Sequence, residues 1–427
     1  MERSDPRYQA YVGILKEELI PAMGCTEPIA LAYAAAKARE VLGVLPESVQ
    51  LQVSGSIIKN VKSVIVPNTG HLKGMEAAAA AGIIAGSAEK ELEVIAEVSA
   101  DKQAAIRDYL QTVPISIEHI EQGHVFDIIV TERCGQDYAR VRIADFHTNI
   151  CLIEKDGKVL YEKPLADEAV QESSRADRSL LNMKDIWEFA ETADLRDVAD
   201  LLERQIRYNN AIAEEGLLGD YGANIGRVLL TTYGNDVSNR AKAKAAAGSD
   251  ARMNGCELPV IINSGSGNQG ITCSVPLIEY AKELHSGKEK LYRALIISNL
   301  VAIHEKTGIG TLSAYCGAVS AGAGAGAGIV YLCGDGYEAA IHTVVNALAI
   351  VSGIVCDGAK ASCAAKIASS VDAAILAYHM ASERRGFHSG EGLVKEDAEK
   401  TLKSYGHMGR EGMRATDIEI LRIMLEN

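Results

Sequence analysis

The chain has 427 residues, 48% hydrophobic and 23% charged, a composition that excludes a disordered protein and leaves room for two or three domains of roughly 150 residues. Its 43 basic and 57 acidic residues give a formal charge of −14, which repels phosphate backbones and argues against nucleic-acid binding. The start, MERSDPRYQAYVGILKEELIPAMG, carries charges through its apolar run, so no secretory leader is read there and the expected location is the cytoplasm.

Residues 6–44 read as helix, loop, helix, with Ile14, Leu15, Leu19 and Ile20 at helical spacing. Gly24 and Pro28 bracket a break, and Thr26 can cap the Ala-rich helix that follows, so Cys25 falls at a helix start. Between 46 and 166 the pattern is mixed. Strands are expected at 48–55, 62–68, 92–99, 115–121, 125–134, 138–157 and 158–163, and helices at 70–86 and 100–111, with turns at GQD and KDGK. From about 180 the pattern is helical: 183–194, 195–217, 223–234, 236–255, 273–287, 288–308, 313–333, 337–359, 363–382 and 415–425.

The expected fold class is therefore α+β: a mixed, largely antiparallel sheet domain with helices, plus a large mainly α-helical domain. The expected division is 1–45, N-terminal helices packing with the helical domain; 46–166, the α+β domain; and 180–427, an all-α catalytic domain. Residues 167–179 (DEAVQESSRADRS) read as an exposed linker. Ser313–Cys333 is uncharged and long enough to span a bilayer, but Gly and Ala supply little transfer energy, and it reads as a buried helix rather than a membrane span.

Nine cysteines, an odd number in a long chain without an export signal, point to reduced thiols rather than a disulfide framework. At a helix start, Cys25 would feel the positive end of the dipole and have a depressed pKa, suiting it to proton transfer, nucleophilic attack or metal binding; it could equally be a cysteine packed in a turn. Cys316, Cys356 and Cys363 could converge on a metal and leave it an open coordination position, or be unrelated core cysteines. INSGSGNQGITCSV (262–275) offers backbone N–H groups around a compact anion, with Asn263, Ser264, Ser266, Asn268 and Gln269 as polar contacts, or is a plain connection. Cys273 is a reserve ligand; Cys134, Cys151, Cys256 and Cys333 read as packing. His71 and Lys73 in VPNTGHLKG could bind a carboxylate or simply form a solvated turn, whereas HEKTG (304–308) reads as a polar helix end. The sequence contains no HExxH, no GxSxG and no dinucleotide GxGxxG after a strand.

GCTEPIALAYAAAKA (24–38), GSGNQGITCSV (265–275), SAYCGAVSAGAGAGAGI (313–329) and GIVCDGAKASCAAKI (353–367) together resemble the L-cysteine desulfidases, relatives of the iron–sulfur L-serine dehydratases of the alpha-chain type. The resemblance runs from about residue 10 to 420. It implies a [4Fe–4S] cluster on Cys316, Cys356 and Cys363, with Cys25 as proton acceptor and no need for pyridoxal phosphate. The implied reaction is elimination of sulfide from L-cysteine to give pyruvate and ammonia. His71 and the polar residues of 263–269 are the candidates for holding substrate. An L-serine or related dehydratase of the same fold, and a non-catalytic iron–sulfur redox sensor, are the alternatives. The expected partner is a small amino acid, with neither nucleic acid nor membrane, and the Ala/Gly-rich helices could bury a homodimer interface.

Overall fold

A computed structural model describes residues 1–121, 123–165, 175–310 and 313–426. The first part of the chain builds α1 (Pro6–Glu18), β1 (Pro21–Met23), α2 (Thr26–Leu42), β2 (Ser48–Ser54), α3 (Gly55–Val61), α4 (Gly74–Ala85) and α5 (Ala100–Thr112). Strands β3 (Ile115–Ile120), β4 (Asp127–Cys134), β5 (Asp137–Ala144), β6 (Ile150–Lys155) and β7 (Lys158–Glu162) follow. The sheet runs β3-β2-β4-β5-β6-β7, parallel only between β2 and β3. Alternation puts Leu51, Val53, Ile128, Val130, Val141 and Ile143 in the core. Helix α2 packs on α4 and across β4 and β5. Its Ala-rich face suits close approach to the sheet, while at its N-terminus Cys25 and Thr26 reach Met253, Cys363 and Gly265 of the helical half.

Two expected strands do not form. KSVIVPN (62–68) leaves α3 through a turn and keeps a single bridge, Ile65 to Lys73; LEVIAEVS (92–99) follows a 3-10 turn at Ala88–Glu93. Both are short apolar runs that bury Val64, Val66, Val94 and Ile95 without a ladder partner.

The rest of the described chain is helical: α6 (Met183–Thr192), α7 (Ala199–Leu218), α8 (Ile225–Tyr233), α9 (Val237–Met253), α10 (Gly267–Glu283), α11 (Lys288–Ile309), α12 (Gly317–Cys333), α13 (Tyr337–Val351), α14 (Cys363–Ser382), α15 (Ala398–His407) and α16 (Arg414–Leu425). One strand interrupts it, β8 (Pro259–Ile261), which pairs antiparallel with β1, so this part is not purely α. The Gly/Ala helix α12 is buried almost throughout, packed among α10, α11, α13 and α14. Its small side chains let four neighbours approach one axis. Among the described residues no helix is long and apolar enough to cross a membrane.

Of the expected linker 167–179, residues 167–174 lie outside the described residues. Arg175 and Arg178 are not free: both pair with Glu17 and Glu18 of α1. Helix α1 also joins the helical half through Phe189, against which Tyr8 and Tyr11 pack edge-on at 5.1 and 5.4 Å.

Candidate active site

Four helices begin at one cavity of about 110 Å³. Cys25 is the N-cap of α2, Ser266 of α10 and Cys316 of α12, while Cys363 is the first residue of α14. None of these starts has a side-chain cap, so their free N–H groups and dipoles give the cavity a positive potential.

The backbone explains how the late cysteines meet. Helix α13 stops at Val351, earlier than the 337–359 pattern suggests, and 354–356 runs extended beside 314–316. Tyr315 bridges Val355, Cys356 N donates to Ala314 O (2.6 Å), and Cys316 N donates to Ile354 O (3.2 Å). The intervening CDGAKASC turns back at Gly358, whose φ is +94° and where a Cβ would sit 2.2 Å from Lys59 O. Only glycine fits there. Cys363 Sγ then contacts Gly358 O at 3.6 Å. Burial, and after it Cys356, pushes the Cys316 thiol up to about 12; burial also raises Cys363, with Cys356 opposing its ionisation further.

Cations face these thiols. Lys306 lines the cavity beside Cys356 and Cys316, and burial lowers its pKa to about 8. Lys366 lies near Cys316 and Cys363, donates to Val355 O at 2.7 Å and pairs with Asp357. Among the described residues no three His, Cys, Asp or Glu side chains stand close enough to hold a single metal ion. A cluster of several irons spaces its ligands more widely. Three thiols lining one cavity beside the Lys306 and Lys366 side chains are a donor set that fits such a cluster.

Cys25 corrects one expectation. It sits at the helix start, yet its thiol is raised well above the ordinary value, by burial first and then by Glu27. The dipole is outweighed because Cys25 is sealed among Val64, Met253, Ala359 and Cys363. Its Sγ donates to Glu27 Oε2 at 3.1 Å, and Asn60 Nδ2 donates to Glu27 Oε1 at 3.1 Å.

Ser264, Ser266, Asn268 and Gln269 line the same cavity. The stretch is not wholly a loop, since α10 starts at Gly267, earlier than the 273–287 expectation. Asn263 lies behind it, donating to Asn299 Oδ1 (3.0 Å) and accepting from Ser264 Oγ (2.8 Å). His71 is exposed and outside the lining, and Lys73 is an exposed N-cap of α4. Cys273 is also outside, packed with Ala302 and Ala321.

Sequence reasoning missed Glu27, Asn60, His147, Arg252, Lys306 and Tyr315. His147 comes from the β5–β6 turn of the sheet and packs edge-on against Phe126 at 4.7 Å; the turn at 145–149 was hidden inside an apparently continuous strand. Arg252 ends an Ala-rich helix that also carries Arg240, Lys242 and Lys244, and no sequence signal separates it from them.

Comparison with known proteins places this architecture. A family profile described as serine dehydratase alpha chain matches residues 89–422. A UPF0597 protein of Desulfitobacterium hafniense is 59% identical, covering 100% of this chain and 98% of its own length. UPF0597 proteins of Lachnoclostridium phytofermentans (53% identical; 98% of this chain, 100% of the relative) and Treponema denticola (46% identical; 100% of both) are similarly full-length matches.

Proposed function

The chain belongs to the serine dehydratase alpha chain family, and on that premise we propose that it is a β-eliminating lyase acting on a small L-amino acid, with L-cysteine the favoured substrate. One observation carries this reading: Cys25, Cys316 and the Cys356/Cys363 pair, from three distant segments, line one cavity together.

Cys316, Cys356 and Cys363 would hold a [4Fe–4S] cluster. When bound, it would supply Lewis-acid iron to a leaving sulfur or oxygen atom. Cys25 removes the α-proton in this scheme. Glu27 Oε2, 3.1 Å from its Sγ, is placed to take the thiol proton first. The Cα–H electron pair forms the Cα=Cβ bond as sulfide departs. The enamine product tautomerises, and water releases ammonia and pyruvate. Burial of the Cys25 thiol favours its neutral form, so turnover should rise with pH as the thiolate becomes accessible.

Protein purified without oxygen should contain iron and acid-labile sulfide, and should release pyruvate and sulfide from L-cysteine. Colourless, iron-free protein after anaerobic reconstitution would overturn the proposal. Faster release of pyruvate from L-serine than from L-cysteine would make it a dehydratase of the same mechanism. The proposed setting is the cytoplasm.

A further inference from the structure

Arg252 is 2% exposed, yet no carboxylate among the described residues lies within ion-pair distance of it, and its Nε has no hydrogen-bond partner. Burial of a guanidinium without a counter-ion is among the costlier arrangements in a protein interior. The neighbourhood compounds the cost. A Cβ at Gly267 would meet Arg252 Nε at 2.3 Å and Cζ at 2.8 Å, so the guanidinium packs directly against the first turn of α10. That turn is itself a positive helix end without a side-chain cap. Two sources of positive potential therefore share one corner of the cavity, and Glu27, the carboxylate that also lines it, is not within ion-pair distance of Arg252.

The rim of that corner is polar and equally unsatisfied. Asn268 Oδ1, Gln269 Oε1 and His147 Nε2 are buried with no partner, and all three residues line the cavity. Burial lowers the pKa of His147, so the ring is neutral and can donate or accept. The arrangement offers a planar fork of donors for an anion beside carbonyl-type acceptors for an ammonium.

We infer that Arg252 and the first turn of α10 form a carboxylate subsite that seats the α-carboxylate of the substrate, with the amide oxygens of Asn268 and Gln269 facing its α-ammonium. The inference deepens the lyase reading and rests on it for the identity of the ligand. A carboxylate bound this way loses the electrostatic opposition to removing the neighbouring α-proton. Arg252 is then a specificity-determining residue. It requires a free carboxylate and excludes amides and esters of the same amino acid.

L-Alanine is the probe, because it has no β-leaving group and is not consumed. Calorimetric titration of the full chain should show L-alanine binding at least ~30-fold more tightly than L-alaninamide. Arg252→Gln should remove that preference and weaken L-alanine by a similar factor, while Arg252→Lys should retain part of it. Circular dichroism would report whether each variant keeps the wild-type fold. If Arg252→Gln does not fold, the alanine–alaninamide comparison in the wild type and Arg252→Lys carries the test. Equal binding of the two probes by the wild type, no binding of either, or undiminished selectivity in Arg252→Gln would each overturn the inference. Arg252-dependent carboxylate selectivity in a protein that converts neither L-cysteine nor L-serine would keep the subsite and reject the lyase.

Discussion

In the sheet half, Arg142 grips Asp127 through bonds of 2.9 and 2.6 Å, and Arg140 reaches Glu154 at 3.2 Å. In the helical half, Arg252 and Lys306 are at least as deeply buried and form no ion pair among the described residues. Paired charges of the first kind cost little and specify register. Unpaired charges of the second kind are sustained by the rest of the fold and point to what the cavity is built to receive. Glu132 qualifies the rule: it lies on β4 with both carboxylate oxygens unpartnered, and burial raises its pKa well above 4.5, yet it lines no part of the cavity. A buried, uncompensated group becomes informative when it also faces a space.

The contrast can be broken by experiment. Changes at the cavity should alter loading and turnover, and changes at charges that do not line it should alter stability alone. Cys316→Ala has the largest expected effect, complete loss of bound iron in a folded protein, read from metal content after anaerobic reconstitution. Cys25→Ser should retain that iron and lower turnover by about 10²–10⁴-fold, and loss of iron in this variant would make Cys25 a ligand instead. Asp417→Ala strands the buried Lys59 ammonium and should cost on the order of 3 kcal/mol in denaturant unfolding. A paired Lys59→Met, Asp417→Leu change should recover most of it.

Glu132→Gln has the smallest expected effect and the opposite sign, a gain on the order of 1 kcal/mol at neutral pH. The folded chain keeps the Glu132 proton to higher pH than the unfolded chain does, so the wild type loses stability as pH rises above about 4.5. Melting curves should therefore coincide for the two proteins below that pH and separate above it. A gain that persists undiminished in acid would mean that Glu132 is not the titrating group.

Much of this was legible beforehand where a residue type is rare and its chemistry narrow. Cysteines at 25, 316, 356 and 363 stood out among Ala and Gly, and the central strands β2 and β5 carry period-two burial. What escaped detection depended on tertiary context. Val64–Val66 and Val94–Ile95 have strand composition but no ladder to join. Lys306 read as part of a polar helix end, whereas in the fold it is buried beside Cys316 and Cys356. His71 could be read as a carboxylate binder or as part of a solvated turn, and only the folded chain shows it exposed and outside the cavity lining. The Cys25 thiol shows the same limit: its helix start could be read from sequence, whereas the burial that reverses its acidity could not.

The docking of α16 on α3 has a consequence for timing. Lys59 meets Asp417 across 358 residues of sequence, and Lys62 is tied to the Met424 carbonyl across 362. The Lys59 carbonyl is also the surface against which Gly358 turns between two of the cavity's cysteines. During synthesis the early segment must wait for the late one, and such distant closures are slow to form. Until α16 arrives, the Lys59 ammonium has no counter-charge and the wall behind the 356–363 turn is unfinished. The nascent chain thus passes through a stage in which that turn is made but not yet backed.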